Sequence, residues 1–137
     1  GDDPLTEVRT PTEGRALSAN PRALRVMVRQ SMFRRVELLS LRRYAALAAL
    51  GGGLSDAAWS AAHEAYLDDY DEFGTGPQAR GPALLRIDDS DAGVWLVEQI
   101  LDDPEGDHDW RISAELDVAA TDEAGELVLT VTGLGPT

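Results

Sequence analysis

The sequence predicts an α+β domain in which two N-terminal helices pack on an antiparallel sheet of about four strands. Three observations carry that expectation. Residues 21–50 and 55–73 place apolar side chains at helical spacing, the chain beyond residue 83 alternates apolar and polar side chains, and Gly and Pro cluster between the two regimes. A curved sheet wrapped round a helix, as in the nuclear-transport-factor-2-like (cystatin-like) fold, is one version of this architecture.

A chain of 137 residues suits one domain, since single domains most often hold roughly 100 to 150 residues. Residues 1–14 are polar and carry Pro4 and Pro11, so they read as a linker or boundary segment, leaving 15–137 as a single α+β accessory domain. Asn20 before Pro21 is a strong helix start, because the Asn side chain accepts an orphan backbone N–H and Pro suits the first helical position. The spacing predicts a helix from Pro21 to about Leu50, ended by Gly51, Gly52 and Gly53. Its apolar residues spread round most of the circumference, so it is expected to be largely covered.

Ser55 is the expected N-cap of a second helix, whose Trp59, Ala62, His63, Tyr66, Tyr70 and Phe73 share one face, with Glu64, Asp68, Asp71 and Glu72 on the other. Strands are expected at 83–87, 94–101, 111–119 and 126–132. The third alternates cleanly, with Ile112, Ala114, Leu116 and Val118 on one side, and Thr121 to Gly125 reads as the turn of a final hairpin.

Composition narrows the function. No cysteine means no disulfide framework and no thiolate metal site, and no apolar run approaches the ~18 residues of a membrane span. No membrane partner is expected, and a cytoplasmic setting is the simplest reading. All twelve basic residues are Arg, which excludes lysine-dependent chemistry. The net charge of −13 conceals an asymmetry: residues 1–50 hold nine Arg against five acids, residues 51–137 three Arg against twenty.

Arg22, Arg25, Arg29, Arg34, Arg35, Arg42 and Arg43 make the first helix the basic segment of the chain. At ~100° per residue, Arg22, Arg25, Arg29 and Arg43 fall within about a third of its circumference. Arg on one face suits phosphate, since its planar guanidinium stays charged and bonds two oxygens at once. A competing reading pairs these arginines with the acidic half of the same chain or with a neighbouring domain.

The acidic stretch from Asp102 to Asp109 does not match the EF-hand calcium loop, and turn chemistry alone accounts for its Asp, Pro and Gly, so no metal is expected. Trp59, His63, Tyr66, His108 and Trp110 are the candidates for lining a small-molecule pocket between helix and sheet. A third possibility is an acidic interaction module presenting Asp68, Asp69, Asp71, Glu72 and the loop round Asp103 to a basic partner. No phosphate loop, G-x-S-x-G elbow or H-E-x-x-H pair occurs, so no catalytic residue is assigned and the fragment is not expected to act as an enzyme by itself.

The stretch Arg15-Ala16-Leu17-Ser18-Ala19-Asn20-Pro21-Arg22, then Met32-Phe33-Arg34-Arg35-Val36-Glu37, resembles the C-terminal domain of unknown function in actinobacterial DEAD/DEAH-box helicases. So do Asp71-Glu72-Phe73-Gly74-Thr75-Gly76 with Ala79-Arg80-Gly81-Pro82-Ala83, the run from Gln99 to Trp110, and Ala119 to Glu126. The resemblance implies a non-catalytic accessory domain with no cofactor of its own. It also implies a parent ATP-dependent helicase that uses ATP and magnesium, with the helicase core and DNA or RNA as partners of the basic helix.

Overall fold

In a computed structural model, which describes residues 16–137, a helical layer precedes a four-stranded sheet. The expected linker at residues 1–14 lies outside the described residues. A 3₁₀ turn at Leu17–Ala19 leads into α1, Pro21–Ser40, whose first turn is closed by Asn20 Oδ1 accepting from Ala23 N at 3.1 Å. Burial of Leu24, Val28, Met32, Phe33, Val36, Leu38 and Leu39 fixes α1 against the core.

The single helix expected to reach Leu50 is broken after Ser40. Leu41 caps α1, Arg42 takes φ +57°, and the N–H groups of Arg42 and Arg43 return to the Leu39 and Leu38 carbonyls at 2.9 Å each. This is a Schellman ending, the left-handed stop usually supplied by Gly. A six-residue helix α2, Tyr44–Ala49, then starts in a new direction, so Arg43 does not continue the α1 surface.

Gly51–Gly53 do more than end a helix. A Cβ added to Gly53, at φ +121°, would sit 2.4 Å from the Val131 carbonyl oxygen, and one on Gly51 would sit 3.3 Å from that of Leu129. The glycines let this loop lie directly on the last strand. Ser55 Oγ then accepts from Ala58 N at 3.1 Å and starts α3, Asp56–Asp69, which buries Trp59, His63 and Tyr66.

The strands run β1, Leu85–Asp88; β2, Val94–Ile100; β3, Trp110–Asp117; and β4, Leu129–Pro136. Each pairs antiparallel with the next, giving the order β1-β2-β3-β4. A bulge beside Ser113/Ala114 shifts the β3–β4 register. The inner face carries Trp95, Val97, Ile112, Ala114, Leu116, Leu129 and Val131, all buried. Gln99 also points inward, and its Nε2 donates to the Leu84 carbonyl at 3.0 Å. On the outer face Glu98 holds Arg111 at 3.0 Å and Arg86 at 3.9 Å, while Leu96 is half exposed.

The expected hairpin turn at 121–125 is instead the end of a helix, α4, Val118–Ala124. Asp117 Oδ1 caps it by accepting from Ala120 N at 3.0 Å, and Gly125 ends it at φ +73°. Asp117 closes an alternating strand, so periodicity assigned it to β3 and hid its capping role. Asp122 anchors α4 to the N-terminal turn by accepting from Ser18 N at 2.9 Å and Ser18 Oγ at 2.5 Å.

Two stability changes follow. Gly53→Ala, forced into a left-handed conformation against the Val131 backbone, is expected to destabilise the domain by about 1–3 kcal/mol in urea unfolding. Arg42→Gly removes the penalty for a side chain at the Schellman position and is expected to stabilise by about 1 kcal/mol; a fall in midpoint would show that the Arg42 side chain outweighs its backbone strain.

Candidate functional site

The seven arginines of residues 22–43 divide sharply once α1 is packed. Arg22 and Arg29 are two turns apart and only about 20° apart round the helix. Both are exposed, as is Arg34 about 140° further round, and no described carboxylate lies within 4 Å of any of the three. Arg25 is drawn inward, with Nη2 2.7 Å from Asp89 Oδ2 and the guanidinium over the Trp95 ring at 5.5 Å. Arg42 lies 3.4 Å from Glu64, and Arg43 is exposed at the start of α2.

Arg35 does not share that surface. Its side chain is buried, with Nη1 donating to Ser31 O and Ser31 Oγ, and desolvation lowers its pKa. A residue that sequence reasoning missed takes a place on the exposed face instead: Arg80, from the loop before β1, lies over the Phe33 ring at 5.0 Å. Phe33 is one turn beyond Arg29, so Arg80 extends the row of Arg22 and Arg29 along α1. The available signal was an apolar Phe33 inside the basic sector, which needs a cover.

Of the pocket candidates, Trp59, Tyr66 and Trp110 are buried in the core, whereas His63 borders a cavity of about 230 Å³ with Arg42 and Phe73. Tyr66 is the hub, with ring centroids 5.3 Å from Tyr70, 5.6 Å from Phe73 and 5.5 Å from Trp110. Its hydroxyl donates to the Glu72 carbonyl at 2.5 Å, and its pKa is raised by burial and then by the charges of Asp103 and Asp109. Trp59 is fully buried, and Trp110 Nε1 donates to Asp69 Oδ2 at 3.2 Å.

The two histidines occupy different environments. His63 Nδ1 shares a hydrogen bond with Tyr44 Oη at 2.8 Å. Its pKa is lowered by burial and by the charge of Arg42, against the opposing charge of Glu64, which keeps the ring neutral at pH 7. His108 sits in the β2–β3 loop at φ +55°, its Nε2 3.6 Å from Asp102 Oδ1, too far for a hydrogen bond. The His108 ring pairs with no catalytic partner among the described residues.

Much of the acidic loop is committed to its own fold. Buried Asp103 accepts three backbone N–H bonds, from Glu105 at 3.1 Å, Asp107 at 2.9 Å and His108 at 2.6 Å. Burial alone pushes its pKa up, but these bonds outweigh it and the net shift is downward. Tyr70 Oη lies 2.6 Å from Asp107 and 2.8 Å from Asp109, and the bond to Asp107 is the chief reason its pKa is raised. Asp68, Asp71 and Glu72 remain exposed, and Glu72, Asp102 and Glu105 border an open groove of about 560 Å³. Among the described residues no group of three or more His, Cys, Asp or Glu is placed to hold a metal ion, and no helix is long and apolar enough to cross a membrane.

These features define an α+β domain with one sheet face covered by helices and a basic row on the outermost helix. The chain belongs to the family described as Domain of unknown function (DUF3516), which matches residues 2–134. No curated protein and no solved structure matches it.

The Asp103 network sets an acid limit. Its folded pKa lies below the ordinary value of 3.8, so its contribution is complete above that value and is lost as pH falls through the depressed one. Asp103→Asn, which turns an amide N–H toward backbone donors, is expected to cost about 1–3 kcal/mol near neutrality and to flatten the fall in stability below pH ~4, measured by denaturation across pH.

Proposed function

We propose that this domain is a non-catalytic accessory module that grips a phosphate-bearing partner, a nucleic acid, through Arg22, Arg29, Arg34 and Arg80. The observation that carries this reading is the lack of internal neutralisation. In a chain of net charge −13, pairing with the chain's own acids is the obvious fate of these arginines, yet Arg22, Arg29 and Arg34 have no described carboxylate within 4 Å. Three exposed cations, Arg22 and Arg29 in one row and Arg34 well round the helix from them, cost little in water and gain most when phosphates release their counterions.

The parent protein, on this reading, is an ATP-dependent DEAD/DEAH-box helicase, and the domain holds nucleic acid beside the helicase core. Support for the parentage is the resemblance in residues 15–22, 32–37, 71–76, 79–83, 99–110 and 119–126. ATP and magnesium would then belong to the core. A nuclear-transport-factor-2-like pocket has weaker support, because Trp59, Tyr66 and Trp110 fill the core between α3 and the sheet.

The test is fluorescence anisotropy with labelled single- and double-stranded DNA and RNA at low and physiological salt. Wild type is expected to bind with a steep salt dependence, and the Arg22→Ala/Arg29→Ala/Arg80→Ala variant to lose affinity, its log–log salt slope falling by roughly 0.7–0.9 for each phosphate no longer neutralised. Absence of binding at low salt to every one of these oligonucleotides would sink the nucleic-acid reading and leave a protein-contacting role for the same face.

A further inference from the structure

Five polar or charged residues are buried among the described residues: Arg35, His63, Gln99, Asp103 and Thr121. Four are satisfied inside the fold. His63 shares a bond with Tyr44, Gln99 donates to Leu84 O, Asp103 accepts three N–H groups, and Thr121 Oγ1 accepts from Val128 N at 3.0 Å. Arg35 is the exception. Only 4% of it is exposed, no described carboxylate lies within 4 Å, and its Nε is enclosed without a partner. A buried charge without a counter-charge is among the most costly arrangements a fold can hold.

The guanidinium is nevertheless well positioned. Ser31 Oγ at 2.6 Å and Ser31 O at 3.1 Å hold Nη1. That leaves Nη2, a charged donor of the kind that bonds oxyanions. Nη2 donates to no described residue. Directly against it runs the exposed Gly51–Gly53 loop, close enough that a Cβ on Gly51 would lie 3.9 Å from Nη2. The N–H groups of Gly51, Gly52 and Gly53 donate to no described backbone acceptor. Free successive N–H groups beside a fixed cation are what proteins use to cradle phosphate.

We propose that Arg35 and the Gly51-Gly52-Gly53 loop form a binding site for a small tetrahedral oxyanion of the phosphate class. The anion supplies the counter-charge that no described residue gives Arg35, and its several oxygens match donors that come from both backbone and guanidinium. The site is separate from the exposed arginines, since Arg35 lies about 140° round α1 from Arg22. Its existence does not depend on the nucleic-acid reading.

The experiment is a titration of the ¹⁵N-labelled domain with inorganic phosphate, replacing chloride at constant ionic strength and neutral pH. Saturable shifts of the Gly51, Gly52 and Gly53 amides and of Arg35 Nε are expected, with a higher thermal midpoint in phosphate than in chloride. Arg35→Met, a substitution of a kind that buried ion sites often tolerate, is expected to abolish both effects. Gly52→Glu supplies a second variant, because a Cβ there meets open space, and its negative charge is expected to weaken phosphate by about tenfold or more while Arg35 stays in place. The proposal is overturned if wild type shows no saturable shift, if the shifts survive in both variants, or if they fall on Arg22 and Arg29 instead of the glycine loop.

Discussion

The inner face of the sheet carries Trp95, Val97, Ile112, Leu116 and Val131, a surface too apolar to face water, whereas the outer face carries Arg86, Glu98, Arg111 and Glu115. Covering one side and leaving the other fixes much of what the helices can do. α3 supplies an aromatic face in Trp59, Tyr66 and the neighbouring Tyr70, and α1 supplies Leu24, Val28, Met32 and Leu39. Angle round α1 then sorts much of its basic set. Arg22, Arg29 and Arg34, at the flanks of the packed sector, reach solvent, while Arg35, within it, is carried inward with it.

Sorting by angle also explains why one helix holds two kinds of cation. Arg22 and Arg29 keep their hydration and are free to exchange water for another partner, and Arg25 has already done so with Asp89 and the face of Trp95. Arg80 reaches the same face from a distant loop by covering Phe33, an aromatic that the helix alone leaves open. The acidic half of the chain contributes little to this face because several of its carboxylates are engaged elsewhere: Asp103 in folding the β2–β3 loop, Asp107 and Asp109 in tying that loop to Tyr70, and Asp69 in holding Trp110.

Where a local chemical signal had only one structural meaning, the sequence could be read. Asn20-Pro21 and Ser55 start helices as expected, and the alternation from Arg111 to Leu116 marks β3. The break at Arg42 was hidden because its left-handed turn lacks the Gly that usually announces one, and α4 because Asp117 fits both an outward strand position and a cap. The burial of Arg35 could not be read from composition, since α1 is apolar round most of its circumference and its core-facing sector emerges only when the sheet is in place. Arg80 lies in a loop without periodicity, so no pattern linked it to Phe33.

The meander has an entropic consequence. Each strand pairs with the one next to it in the chain, so the loops to be closed are short and the entropy lost at each closure is small. The seating of Gly53 on the Val131 backbone is different, because it joins segments on opposite sides of α3 and the first three strands. The strand pairings therefore cost less closure entropy than that clasp, which is the long-range contact that ties the helical layer to the last strand.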